Sequence, residues 1–188
     1  YGKNNELWGA ETFFGFSGNW KRVASFKPFR LPGGILAIKQ PWRVALSLCL
    51  HSQNLYNKQI PELTMVQQQW AKKINSPYTS SVGRLFDGAA ALLSLIENSS
   101  FDAQAAMYLE TEATSSTSDS ISLPIKENEE LYQTDWQPLI PFLLDTNFSN
   151  SYKATVFHNS LAQNIVQQVI LISKHYNIEN IEIGRAHV

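Results

Sequence analysis

The sequence holds 188 residues, 44% of them apolar and 12% aromatic, which suits one soluble globular domain with a substantial core. Lys plus Arg number 15 against 16 Asp plus Glu, so the net charge of -1 supplies no electrostatic pull toward nucleic acid or an anionic membrane. No apolar run approaches the ~18 residues of a membrane-spanning helix, no signal-peptide pattern opens the sequence, and the lone Cys49 excludes an internal disulfide and a Cys-rich metal site, so a cytoplasmic location is expected.

In chain order, "LWGAETFFGF" and "WKRVASF" are rich in aromatic and branched residues and flank the turn signal "SGN", which predicts a β-hairpin. "KPFRLPGG" reads as a loop, because its prolines interrupt hydrogen bonding and Gly33 and Gly34 allow backbone angles that other residues avoid. Leu36, Val44, Leu46, Leu48 and Leu50 predict a helix from Ile35 to about His51, with Pro41 near its start or at a break. Pro61 suits the first turn of another helix containing Met65, Val66 and Trp70.

"TSSVGRLFDGAAALL" follows, with Ser80 or Ser81 as helix cap and Leu85, Phe86, Ala89, Leu92, Leu93 and Ile96 as an apolar stripe. A helix is predicted over Phe101 to Ala113, then an exposed, mobile connector "TSSTSDSIS", a strand near Glu130 to Thr134, and helices over Trp136 to Leu144 and Tyr152 to Lys174. The last of these presents Phe157, Leu161, Ile165, Val169 and Ile172 on one face, and "IENIEI" suggests the start of a strand.

Arg84 and Asp87 stand at i and i+3, with Gly88 and Ala91 near the same side of the helix. One reading makes this a ligand floor, with Asp87 accepting hydrogen bonds from hydroxyls such as those of a ribose. The other makes it a surface ion pair beside small residues that pack on a neighbouring helix. Arg30 and Arg43 flank the glycine loop, where they could hold an anion, clamp a neighbouring segment, or simply be solvated. Glu11 is either an active-site carboxylate or an inward-facing strand residue. His51, His158, His175 and His187 show no metal-ligand spacing; His158 reads as a packed histidine and Cys49 as a buried, inert thiol.

Six segments, "YGKNNELWGAE", "FKPFRLPGG", "QPWRVALSL", "TSSVGRLFDGAAALL", "SFDAQAAMYLE" and "VFHNSLAQNI", resemble in order and spacing the HypF family, the carbamoyltransferases of nickel-iron hydrogenase maturation. The resemblance lies in the C-terminal domain, related to the Kae1 and TsaD enzymes that threonylcarbamoylate tRNA, and runs from Tyr1 to about Asn180. It implies an α/β fold, part of a two-lobed actin-like ATPase, with an N-terminal hairpin followed mostly by helices. It also implies carbamoyl phosphate and ATP as substrates, a carbamoyl-adenylate intermediate, and a HypE-type acceptor protein carbamoylated on its C-terminal cysteine.

By position, Asp87 matches the nucleotide-contacting aspartate of the related "FDKVAKLLG" motif. Asp102 stands for the Glu and Ala103 for the Gly of the family segment SYEGQAAM, while Gln104 is kept. The resemblance thus implies a nucleotide or carbamoyl-adenylate site drawing on Asp87, Asp102, Gln104, Arg84 and Glu11. A divalent metal, iron or zinc, is implied for the parent protein, with paired histidine ligands outside this sequence. A tRNA threonylcarbamoyl transferase is the nearest alternative, disfavoured by "PFRLPGG" and "PWR"; a non-catalytic interaction module is the other.

The opening without Met reads as a cut from a longer chain, with Tyr1 and Gly2 resembling the end of the family's DGTGYG loop. At the other end, "IGRAHV" back-translates to a sequence resembling a common sequencing adapter. The expectation is a partial Kae1-like domain over residues 1–182 and a non-native tail over 183–188.

Overall fold

The computed structural model describes residues 6–128, 131–178 and 180–184. The expected hairpin forms from β1 (Glu11–Phe16) and β2 (Asn19–Phe26), antiparallel, with a bulge between Thr12 and Phe13. Gly18 takes φ 83°, the left-handed geometry that a tight hairpin turn requires. On its other side β2 pairs in parallel with β6 (Leu131–Thr134), which pairs antiparallel with β5 (Ile125–Asn128), giving the order β1-β2-β6-β5. A second, two-stranded sheet joins β3 (Phe29–Arg30) to β4 (Tyr78–Thr79).

Between β2 and β6 lies the helical layer. The stretch predicted as one helix is two, α1 (Leu36–Lys39) and α2 (Pro41–His51), because Gln40 before the proline sits at φ -127°, ψ 77° and cannot continue the first. Then come α3 (Leu63–Ala71), α4 (Val82–Leu92) and α5 (Gln104–Glu112). The main core gathers α2, α4, α5 and α6 (Leu139–Leu144) around Phe29, Leu46, Leu48, Leu85 and Trp136. Trp136 is fully buried, and its indole N–H donates to the Lys27 carbonyl at 2.7 Å, so its polar edge is satisfied.

The long α7 (Asn150–Tyr176) starts at Ser149, whose hydroxyl accepts from the Tyr152 amide, and ends at Asn177 in left-handed geometry. Its buried face differs from the predicted stripe. Phe157, Leu161 and Ile172 are buried, but Ile165 is exposed and the polar Asn164 and Gln168 take the inward positions. The connector is exposed as expected at Thr114, Ser116, Ser118, Asp119 and Ser122, but it is fastened along α7. Ser115 N donates to Thr155 Oγ1, Ile121 N to Ser160 Oγ, and Asn159 Nδ2 to the carbonyls of Thr117 and Asp119. Low complexity there reflects a polar strap read by a polar helix face.

The expected strand near Ile178 to Ile183 does not form among the described residues. Residues 185–188 of the expected tail lie outside them. No helix among the described residues is long and apolar enough to cross a membrane.

Candidate functional site

Helix α4 follows Ser81, which is extended at φ -63°, ψ 118° and makes no side-chain cap. The expected capping hydroxyl of Ser80 donates to Glu11 instead. One turn into α4, Arg84 Nη1 lies 2.8 Å from Asp87 Oδ2. Asp87 is only 3% exposed, so the pair is not the surface ion pair that spacing allowed. The two atoms meet as charges out of hydrogen-bond alignment, and both are buried without a hydrogen-bond partner. Burial pushes the Asp87 carboxyl up to about 6; the Arg84 charge opposes that rise and the Asp102 charge adds to it. A buried carboxylate oxygen with unused acceptor capacity, beside a cation, is suited to receiving hydroxyl or amide protons.

The small residues beside Asp87 do not form an open floor. A Cβ built on Gly88 would lie 2.5 Å from Leu48 Cδ1 and 3.1 Å from Val44 Cγ1, while Ala89, Ala90 and Ala91 are fully buried in the core. Gly88 therefore lets α2 and α4 approach, and the packing alternative holds for the small residues.

Asp102 precedes α5, which packs on α4, and its charge is felt at Asp87. Gln104 opens α5 with its side chain turned back: Oε1 accepts from the Ser100 amide at 2.7 Å and Nε2 donates to the Tyr108 hydroxyl at 3.1 Å. Between them Ala103 sits at φ 65°, a left-handed conformation that favours the glycine which the family segment carries. Ala103→Gly is expected to raise stability by about 0.5–1 kcal/mol, read from the denaturant midpoint; an unchanged or lower midpoint would show that Ala103 is unstrained.

Glu11 belongs to a second cluster. Its carboxylate accepts from the Ala10 amide at 2.8 Å, from Arg22 Nη2 at 3.0 Å, and from the Ser80 hydroxyl in a short hydrogen bond. Arg22 in turn lies over the Trp8 ring at 4.3 Å. Glu11 thus ties β1 to the entrance of α4, and no hydrogen bond or ion pair connects it to Asp87. Arg22 and Ser80 escaped the sequence reading: Ser80 looked only like a cap, and nothing in "WKRVASF" distinguishes Arg22.

The two loop arginines are clamps, neither solvated nor open. Arg30 Nη1 donates to the Trp70 carbonyl at 2.7 Å, and its guanidinium lies 5.1 Å from both the Trp70 and Tyr78 rings. Arg43 bonds Gln40 and packs near Gly33, which holds φ 94°. His51 accepts from the Arg30 amide through Nε2 at 3.1 Å, and burial together with the Arg30 and Lys27 charges depresses it to about 4, so it is neutral. His158 Nδ1 donates to the Ala154 carbonyl at 2.7 Å and packs edge-on to Phe86, as a packed histidine should. Cys49 is buried, and desolvation pushes its thiol up to about 12, out of the reactive range. Among the described residues no three His, Cys, Asp or Glu side chains are placed to hold a metal ion.

Comparison with known proteins decides the family. The model of the second subdomain of the Kae1-like domain of HypF-type carbamoyltransferases matches residues 1–184. The chain belongs to the HypF family. The carbamoyltransferase HypF of Synechocystis is 32% identical over 98% of the chain, and HypF2 of Cupriavidus necator is 36% identical over 58% of it. A crystal structure of full-length HypF in a phosphate- and nucleotide-bound form superposes with a TM-score of 0.85, at 30% identity over 95% of the chain. The mixed α/β architecture is therefore that of the HypF Kae1-like fold. The chain spans only 27% of the Synechocystis relative and 29% of the crystallised HypF.

Proposed function

We propose that this chain is part of a carbamoyltransferase that takes carbamoyl phosphate and ATP, forms carbamoyl-adenylate, and carbamoylates the C-terminal cysteine of a HypE-type acceptor. The observation that carries the reading is the buried Asp87, whose Oδ2 lacks a hydrogen-bond partner. Its contact with Arg84 is one of charge, which leaves acceptor capacity for a hydrogen-bond donor, and ribose hydroxyls are the donors that a nucleotide would bring. Family membership and the nucleotide-bound form of a HypF with this fold support the same assignment.

In this reading Asp87 binds the ribose and Arg84 offsets its charge. Asp102 and Gln104 line the neighbouring turn, and Glu11 positions the entrance of α4. ATP supplies the activating adenylyl group. Among the described residues no side-chain cluster fits the iron or zinc implied for the parent protein. The reading keeps the cytoplasmic location expected for such a maturation enzyme.

In the full-length parent, Asp87→Ala should lose carbamoyl transfer and weaken nucleotide binding by roughly tenfold or more, read by titration calorimetry, while circular dichroism stays native. Wild-type affinity in a folded variant would sink the assignment.

A further inference from the structure

Gln104 turns its side chain to two neighbours in the protein. Its Oε1 closes the turn before α5 by accepting from the Ser100 amide, and its Nε2 donates to the Tyr108 hydroxyl at 3.1 Å. The second bond spans one turn of helix and restrains a ring that is 45% exposed. Among the described residues this is the one hydrogen bond that Tyr108 makes, and no other ring packs on it. The polar tip is thus fastened while an aromatic surface stays open, and a ring already held in place asks less ordering of whatever stacks on it.

The ring also stands at the edge of α5 that meets α4. Ala105 and Leu109 are buried where the two helices pack, and Tyr108 lies beside Leu109 on the same flank as Gln104. Asp102, at the turn before α5, is near enough to Asp87 for its charge to be felt there. On the other flank α4 is closed, because Val44 and Leu48 of α2 fill the space at Gly88. A base carried by a ribose on Asp87 therefore finds its room toward α5.

We propose that Tyr108 is the platform on which the purine base of the nucleotide stacks, and that Gln104 positions its ring. Stacking engages the face of a base and leaves its edge unread, so the contact adds affinity for a purine without choosing among purines. The inference rests on the nucleotide reading of Asp87 and adds the base to it.

The test titrates the full-length parent with ATP and with ribose 5-triphosphate, which lacks the base, by calorimetry. Tyr108→Ala is expected to weaken ATP binding by about tenfold and to leave the base-free ligand unchanged. Gln104→Ala should lose part of the same ATP affinity with the same split, which a merely structural role would not produce. In Tyr108→Trp the stacking ring is kept, and saturating ATP should quench an added tryptophan emission that the base-free ligand leaves alone. Equal weakening of both ligands by Tyr108→Ala, wild-type ATP affinity in that variant, or an emission indifferent to ATP would overturn the proposal. Asp87→Ala checks the reading beneath it and should weaken both ligands. If it does so while Tyr108→Ala does nothing, the platform alone falls; if it weakens neither, the nucleotide reading falls and takes the platform with it.

Discussion

Asp87→Asn should make the protein more stable at about pH 7.5, by up to about 3 kcal/mol, while weakening nucleotide binding no more than Asp87→Ala does. The sign follows from the carboxyl, which burial raises from 3.8 to about 6 in the folded state. Between those values the native state holds a proton that the unfolded chain releases, so stability falls as pH rises through the window. Above about 6 the penalty is complete, because an ionised carboxylate is then buried against only the misaligned Arg84. Asparagine keeps an acceptor oxygen and removes the charge; Arg84 retains partial solvent contact. The gain should therefore be absent near pH 4 and fully developed by pH 7.

His51 acts with the opposite sign, since its depressed value means that stability is lost as pH falls from 6.5 toward 4. It is present in both proteins, so the difference between wild type and variant isolates Asp87. Urea titrations at the two pH values would check this, and a parallel pH dependence of the two proteins would defeat it. A residue that weakens the fold while serving a ligand is the usual mark of a binding site.

Gly88→Val should cost roughly 3 kcal/mol, seen as a lower denaturant midpoint and a dimmer near-ultraviolet circular dichroism signal. A Cβ at 2.5 Å from Leu48 Cδ1 and 3.1 Å from Val44 Cγ1 leaves no room for even one methyl without movement, and valine adds two more carbons that a packed α2 cannot yield to. If the face beside Asp87 were an open ligand floor, the same substitution would impair nucleotide binding and leave stability near that of the wild type. The two outcomes separate helix packing from ligand room.

Much of the fold was legible because its signals are local. Alternating aromatic and branched residues around "SGN" specify the hairpin, and Pro41 marks the break between α1 and α2. The face of α7 was not legible, since Ile165 fits the apolar stripe better than Gln168 does; only the Thr134 hydroxyl, 34 residues away in sequence, makes the polar choice favourable. The fastening of the connector was hidden for the same reason, its partners lying about 40 residues on. At the site, spacing gave the Arg84 and Asp87 pair but not its burial. Resemblance supplied the ribose reading, and the structure adds a buried carboxylate oxygen, paired with Arg84 as a charge but taking no hydrogen bond, that is consistent with it. The fit of Ala103 to a family glycine was legible in sequence, and its φ of 65° supplies the physical reason for that glycine.

The parallel pairing of β2 with β6 joins Ala24 to Tyr132, with α1 through α5 strung between them. Neither strand can find the other by local search, because closing a loop of that length is entropically expensive until something shortens it. The helical layer is what shortens it, by bringing Lys27 and Trp136 together over Phe29. The parallel junction, unlike the two local hairpins that it joins, thus depends on the helices, so a lesion in the packing of α2 on α4 is expected to slow its closure at a distance, where every strand residue is intact.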